Sequence, residues 1–111
     1  MNATFHDLHD APVFITGGGN GIGAALTDGF MVQGSKVAFV GRSDASGFVQ
    51  QMQDKHGCAP LFIQCDITDT QALRNAMDSA VAAHGPLRVL VNNAANDMRF
   101  TASEIDEATW D

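Results

Sequence analysis

Five of the chain's 11 glycines fall within Thr16-Gly17-Gly18-Gly19-Asn20-Gly21-Ile22-Gly23. Glycines at this density can adopt positive φ and let a ligand approach bare backbone. The run follows the short apolar burst Pro12–Thr16 and precedes Ile22, Leu26, Phe30 and Met31 at helical spacing. A helix starting there turns its free N–H groups and the positive end of its dipole toward the loop, which suits a phosphate. Gly17, Gly21 and Gly23 are placed to turn the chain tightly, admit a pyrophosphate and let the helix pack on a sheet. No Lys-Ser or Lys-Thr pair follows the glycines, so a nucleoside triphosphatase phosphate loop is a poor match. The stricter dinucleotide spacing is met only through Gly19, Gly21 and Ala24. On the glycines alone, a ligand-free turn and a methyl-transfer loop for a sulfonium cofactor stay open.

The elements that must position this loop alternate regularly. The spacing predicts a helix over Ile22–Gln33 stopped by Gly34, and a second strand over Lys36–Val40. That strand is apolar on both faces, as in parallel sheets covered by helices. A weaker helix follows over Ser46–His56, with Phe48, Val49 and Met52 inward, then a third strand over Leu61–Gln64. Thr68 with Gln71 forms a capping-box pattern for a helix running through Leu73, Met77, Ala80 and Val81 to His84, stopped by Gly85 and Pro86. The fourth strand is Leu87–Asn92; Phe100–Ser103 reads as loop, and another helix would start at Glu104. The expectation is an α/β fold: a Rossmann-like, doubly wound parallel sheet of order 3-2-1-4, cut after about four βα units. Residues 1–111 are then one partial dinucleotide-binding domain. In that order the fourth strand lies at an open apolar edge, which intact proteins avoid, so the sequence reads as an N-terminal fragment.

Composition narrows the partners. The 111 residues carry 13 acids against 6 bases, a net charge of −7, which argues against a nucleic-acid binder. No apolar run reaches membrane-spanning length and the N-terminus lacks a secretory pattern, so a cytoplasmic protein is expected. Cys58 and Cys65 flank the third strand and point apart, reading as free buried thiols. His6 and His9 sit near the start, while His56 and His84 end helices, where a positive imidazole suits the dipole. No metal site is expected. Met31, Met52 and Met77 read as core fillers.

Three motifs in order now carry a resemblance. Thr16–Gly23 resembles the TGxxxGxG motif of the classical short-chain dehydrogenases/reductases, and Asn92-Asn93-Ala94-Ala95 is similar to their NNAG motif, with Ala95 in place of the last glycine. Asp66, just after the third strand, matches the family's acid at the adenine ring, and Ala108–Asp111 resembles the start of the helix beyond the NNAG loop. The resemblance implies that Gly17, Asn20, Gly21, Ile22 and Gly23 surround the pyrophosphate, with Ile22 supplying backbone and packing. It implies that Asp66 and the Ile67 N–H meet the adenine, that Asn92 ties the central strands together, and that Asn93, Ala94 and Ala95 border the ribose. At the residue that sets cofactor choice, this chain has Arg42-Ser43 instead of an acid. That favours NADP over NAD, because Arg42 can fork onto a 2′-phosphate; Asp44 nearby and the uncharged Asn20 weigh the other way.

The family's chemistry uses a Ser and a Tyr-x-x-x-Lys pair. The chain has no tyrosine, its lysines are Lys36 and Lys55, and Ser79 and Ser103 come too early to be the catalytic serine. No catalytic residue is therefore assigned within it, and the chain alone is expected to be inactive. The resemblance implies an NAD(P)-dependent oxidoreductase acting on a small alcohol or carbonyl substrate, homo-oligomeric as a whole protein. Asn96-Asp97-Met98-Arg99 after the NNAG-like motif is similar to family members that oxidise aldoses at C1, although Phe100 stands where those enzymes have His. A non-catalytic dinucleotide-binding module is the alternative.

Overall fold

The computed structural model describes residues 8–17, 19 and 21–93. Along the chain run β1 (Pro12–Thr16), α1 (Gly21–Val32), β2 (Lys36–Gly41), α2 (Ser46–His56), β3 (Leu61–Gln64), α3 (Thr70–His84) and β4 (Val89–Asn92). The strands form one parallel sheet in the order β3-β2-β1-β4. Register sets Thr16 opposite both Val40 and Asn92, and Gly41 opposite Gln64. The C-terminal ends of all four strands therefore finish together, and the loops that follow them share one edge.

The central strands have no polar face because both sides are covered. Val13, Ile15, Val37 and Phe39 pack with Met31 and Met52 on one face; Phe14, Ala38 and Val40 pack with Cys65, Ala76 and Ala80 on the other. This alternation follows from the period of two along a strand. α3 contributes alanines at its closest approach, both buried. Phe39 is further fixed by ring contacts with Phe48 and Phe62, at centroid separations of 5.7 and 4.9 Å.

Several sequence expectations shift locally. The buried face of α1 is Gly23, Thr27 and Met31, whereas Ile22 is 66% exposed. A glycine and a threonine hide this face from hydrophobic counting; the Thr27 hydroxyl donates to the Gly23 carbonyl at 2.9 Å, so its burial leaves no unmet polarity. The cap of α3 is Asp69, whose carboxylate accepts from the Ala72 N–H at 3.1 Å, and not Thr68. Thr68 is instead occupied with Asp66. Val81 faces outward, 39% exposed, because Ala76 and Ala80 define the inward stripe. β4 starts at Val89 rather than Leu87. Both cysteines are free, but only Cys65 is buried; Cys58 follows the left-handed turn at Gly57 and is exposed. His84 also departs from the expected cation: burial, and secondarily the Lys36 ammonium, push its imidazole below the usual value. Among the described residues no helix is long and apolar enough to cross a membrane, and no cluster of His, Cys, Asp and Glu could hold a metal ion.

α1 and α2 are joined by Asp28, which accepts from Lys55 Nζ at 2.7 Å and lies 2.7 Å from His56 Nε2. The Lys55 hydrogen bond, then the His56 bond and the charges of both, hold the Asp28 carboxyl below its ordinary 3.8 against a partial desolvation. A depressed folded-state pKa means that this stabilisation is present above pH 3.8 and is lost as pH falls through the lowered value. Asp28→Asn should therefore destabilise the protein by about 1 kcal/mol at neutral pH. Urea unfolding should show the difference between the two proteins shrinking in strong acid.

Candidate functional site

The shared edge carries a cleft of about 610 Å³ lined by Gly17, Gly19, Arg42, Ser43, Asp44, Ala45, Gly47, Phe48, Asp66, Ile67 and Thr68. These residues come from the loops after β1, β2 and β3 and from the first turn of α2, so parallel register brings distant positions together. Ligands of open α/β sheets bind in such crevices beyond the carboxyl ends of the strands.

Its floor depends on close backbone contact. Gly17 leaves β1 at φ 71°, and its N–H donates to the Val40 carbonyl at 2.7 Å. Gly21 opens α1 at φ 57°, a conformation that side-chain-bearing residues rarely adopt. Gly23 has a different reason: a Cβ there would lie 1.8 Å from the Gly17 carbonyl oxygen. The helix can start this near to β1 only without a side chain at position 23. Its first turn holds no acidic residue to compete for an anion.

Two asparagines fasten the loop from β4. The Thr16 hydroxyl donates to Asn92 Oδ1 at 2.9 Å, and the Asn93 amide donates to the Gly17 carbonyl at 3.1 Å. Asn92 thus meets the end of β1, and Asn93 meets the glycine loop.

The other end of the cleft is charged. Asp66 accepts both the Thr68 N–H (3.0 Å) and the Thr68 hydroxyl (2.7 Å) on Oδ1. These bonds, then the Arg42 charge, hold its carboxyl below the usual value against a small desolvation. Arg42 makes no ion pair among the described residues; its carbonyl accepts from Gln64 Nε2 at 2.9 Å, fixing the backbone after β2 to β3. Asp44 accepts the Ser46 N–H and hydroxyl, each at 3.0 Å, at the start of α2.

Of the residues singled out in the sequence, Gly17, Arg42, Ser43, Asp66 and Ile67 line the cleft. Gly21, Ile22 and Gly23 stand at the opening of α1, with the Ile22 side chain turned to solvent, and Asn93 touches Gly17. Asn20, Ala94 and Ala95 lie outside the described residues, as do Met98, Phe100 and Ser103. Sequence reasoning passed over Gly19, Ala45, Gly47, Phe48 and Thr68 as cleft residues. Gly19 packs closely: a Cβ there would meet Ala45 Cβ at 3.3 Å and Phe39 Cε2 at 3.4 Å, contacts that leave little room for a side chain.

Residues 11–111 match the sequence profile of the family described as short chain dehydrogenase. The chain is 46% identical over 112 residues to a probable galactose dehydrogenase, GalD, of Rhizobium meliloti (strain 1021), covering 99% of this chain and 44% of that protein. It is 35% identical over 111 residues to a D-xylose 1-dehydrogenase of Caulobacter vibrioides, covering 99% and 43%. It therefore spans less than half the length of either relative. A mutant short-chain dehydrogenase/reductase of Serratia marcescens superposes with a TM-score of 0.71 at 30% identity, over 92% of this chain and 44% of that one. A 3-ketoacyl-(acyl-carrier-protein) reductase of Brucella melitensis, complexed with NADH, superposes with a TM-score of 0.64 at 26% identity, over 75% and 33%. Fold, glycine loop and profile agree, and the chain belongs to the short chain dehydrogenase family.

Proposed function

We propose that this chain supplies the cofactor half of an NAD(P)-dependent sugar dehydrogenase, that it prefers NADP, and that the whole protein transfers hydride between the nicotinamide and C1 of an aldose. The observation that carries the substrate class is the 46% identity, over 99% of the chain, to a relative named a probable galactose dehydrogenase. A second sugar dehydrogenase at 35% identity points the same way.

The residues present fit a dinucleotide. The bare backbone at Gly17, Gly21 and Gly23, where α1 starts too close to β1 to admit a Cβ at position 23, would form a cradle with the N–H groups at the start of the helix. A pyrophosphate is the group such a cradle suits. Asp66 keeps Oδ2 without a hydrogen bond among the described residues, so a carboxylate held ionised by Thr68 can accept from an adenine amino group. The Ile67 N–H, from a residue of the same cleft, would meet the ring. Arg42, on the same cleft and without an ion pair among the described residues, would match a ribose 2′-phosphate through its planar fork. Asn92 and Asn93 hold the β1 end and the glycine loop in place, and Asn93, Ala94 and Ala95 would border the nicotinamide ribose. When bound, the dinucleotide supplies the hydride acceptor or donor. This chain's residues anchor and orient it.

The test is an aldose panel with the full-length protein, following dinucleotide reduction with NADP+ and with NAD+. Turnover of galactose or xylose, faster with NADP+ at limiting cofactor, is expected. Absence of turnover with every aldose, together with reduction of a ketoacyl thioester, would overturn the substrate class. Dinucleotide binding without any turnover would favour the non-catalytic module.

A further inference from the structure

Asp44 and Asp66 both line the cleft, and their hydrogen bonds divide them chemically. Asp66 receives both of its bonds on Oδ1, leaving Oδ2 to a ligand. Asp44 receives one on each oxygen: the Ser46 N–H on Oδ1 and the Ser46 hydroxyl on Oδ2, both at 3.0 Å. The cap position of α2 is Ala45, which has no side-chain acceptor, so Asp44 serves the first turn from one residue earlier. Its negative charge also sits favourably at the helix N-terminus. The backbone N–H holds one oxygen in any variant, but among the described residues only the Ser46 side chain holds the other.

That second oxygen matters because of what shares the cleft with it. Asp44 lies two residues from Arg42 on the wall of the same cleft. A carboxylate free to swing would be drawn to the guanidinium or to the vicinal hydroxyls of a ribose. Either movement opposes a 2′-phosphate and favours the dinucleotide that lacks one. We propose that Ser46 is a specificity-determining positioning residue: its hydroxyl draws the Asp44 carboxylate onto α2 and so leaves Arg42 open to a 2′-phosphate. The proposal deepens the cofactor reading above and rests on its placement of the adenosine ribose beside Arg42.

The experiment is calorimetric titration of the full-length protein with NADP+ and NAD+, reading the ratio of the two dissociation constants. The two ligands differ only in the 2′-phosphate, so a merely structural loss lowers both affinities and leaves the ratio unmoved. Ser46→Ala should shift the ratio about fivefold toward NAD+, the scale of one ordinary solvent-exposed hydrogen bond. Ser46→Thr, which keeps the hydroxyl, should restore it. Asp44→Asn should shift the ratio toward NADP+, and adding Ser46→Ala to that variant should change nothing further, because the serine acts through the carboxylate. An unchanged ratio in Ser46→Ala, with the parent preferring NADP+, would overturn the role of Ser46 alone. A parent without NADP+ preference would overturn the cofactor reading and this proposal with it.

Discussion

Gly23→Ala should remove measurable dinucleotide binding and destabilise the fold by about 3 kcal/mol. The new Cβ would stand 1.8 Å from the Gly17 carbonyl oxygen, 2.7 Å from its carbon and 2.9 Å from Asn93 Nδ2. The first two contacts are backbone against backbone, so no change of rotamer relieves them. Either α1 slides away from the sheet or the loop at Gly17 moves. In both cases the Asn93 bond to the Gly17 carbonyl, 3.1 Å long, is strained or lost. The helix start then no longer faces the place proposed for the pyrophosphate, and an affinity loss of about 100-fold or more is expected. Gly29→Ala is the matched control on the same helix. Nothing lies within 4 Å of its Cβ position, so it should stabilise the protein by up to about 1 kcal/mol through helix propensity, with binding intact. Urea unfolding and titration of both variants check the pair; equal behaviour would show that the close approach at Gly23 is not what builds the cradle.

The second large effect is on cofactor choice. Arg42→Ala should weaken NADP+ binding by about 50-fold, the size of a charge-assisted bidentate contact, and NAD+ binding by about twofold at most. Two observations support the asymmetry. Arg42 has no ion-pair partner among the described residues, so its charge is open to a ligand. Its influence on Asp66 is the weakest of those acting on that carboxylate, behind both Thr68 hydrogen bonds, so the adenine side should survive the substitution. Arg42→Lys should keep part of the NADP+ affinity, since a point charge replaces a planar fork. Equal losses for the two cofactors would remove the 2′-phosphate from this position.

Much of this architecture was legible because it depends on order and period. Apolar bursts covered on both faces, separated by helices of ordinary length, admit few parallel arrangements, and the sheet has the expected order β3-β2-β1-β4. The glycine run was legible as the turn between β1 and α1 because its strand-before, helix-after context is local. What escaped was set by contacts across the chain. Ile22 looked like a core residue because Gly23 and Thr27, which actually face the sheet, do not count as hydrophobic. Thr68 looked like a helix cap, but Asp66 claims both its N–H and its hydroxyl, and Asp69 takes the cap. The imidazole of His84 looked like a cation at a helix end until burial, with Lys36 nearby, favoured its neutral form. Asp44 seemed only to blur the choice of cofactor; its engagement by Ser46 depends on side-chain geometry that no spacing rule reveals.

The measurement that tests the central claim most directly is calorimetric titration of the protein with adenosine 2′,5′-bisphosphate, the part of NADP+ proposed to lie in this cleft. The account predicts saturable binding at one site per chain, competitive with NADP+, weakened in Arg42→Ala and abolished in Gly23→Ala. No saturable binding, or binding indifferent to both substitutions, would contradict it.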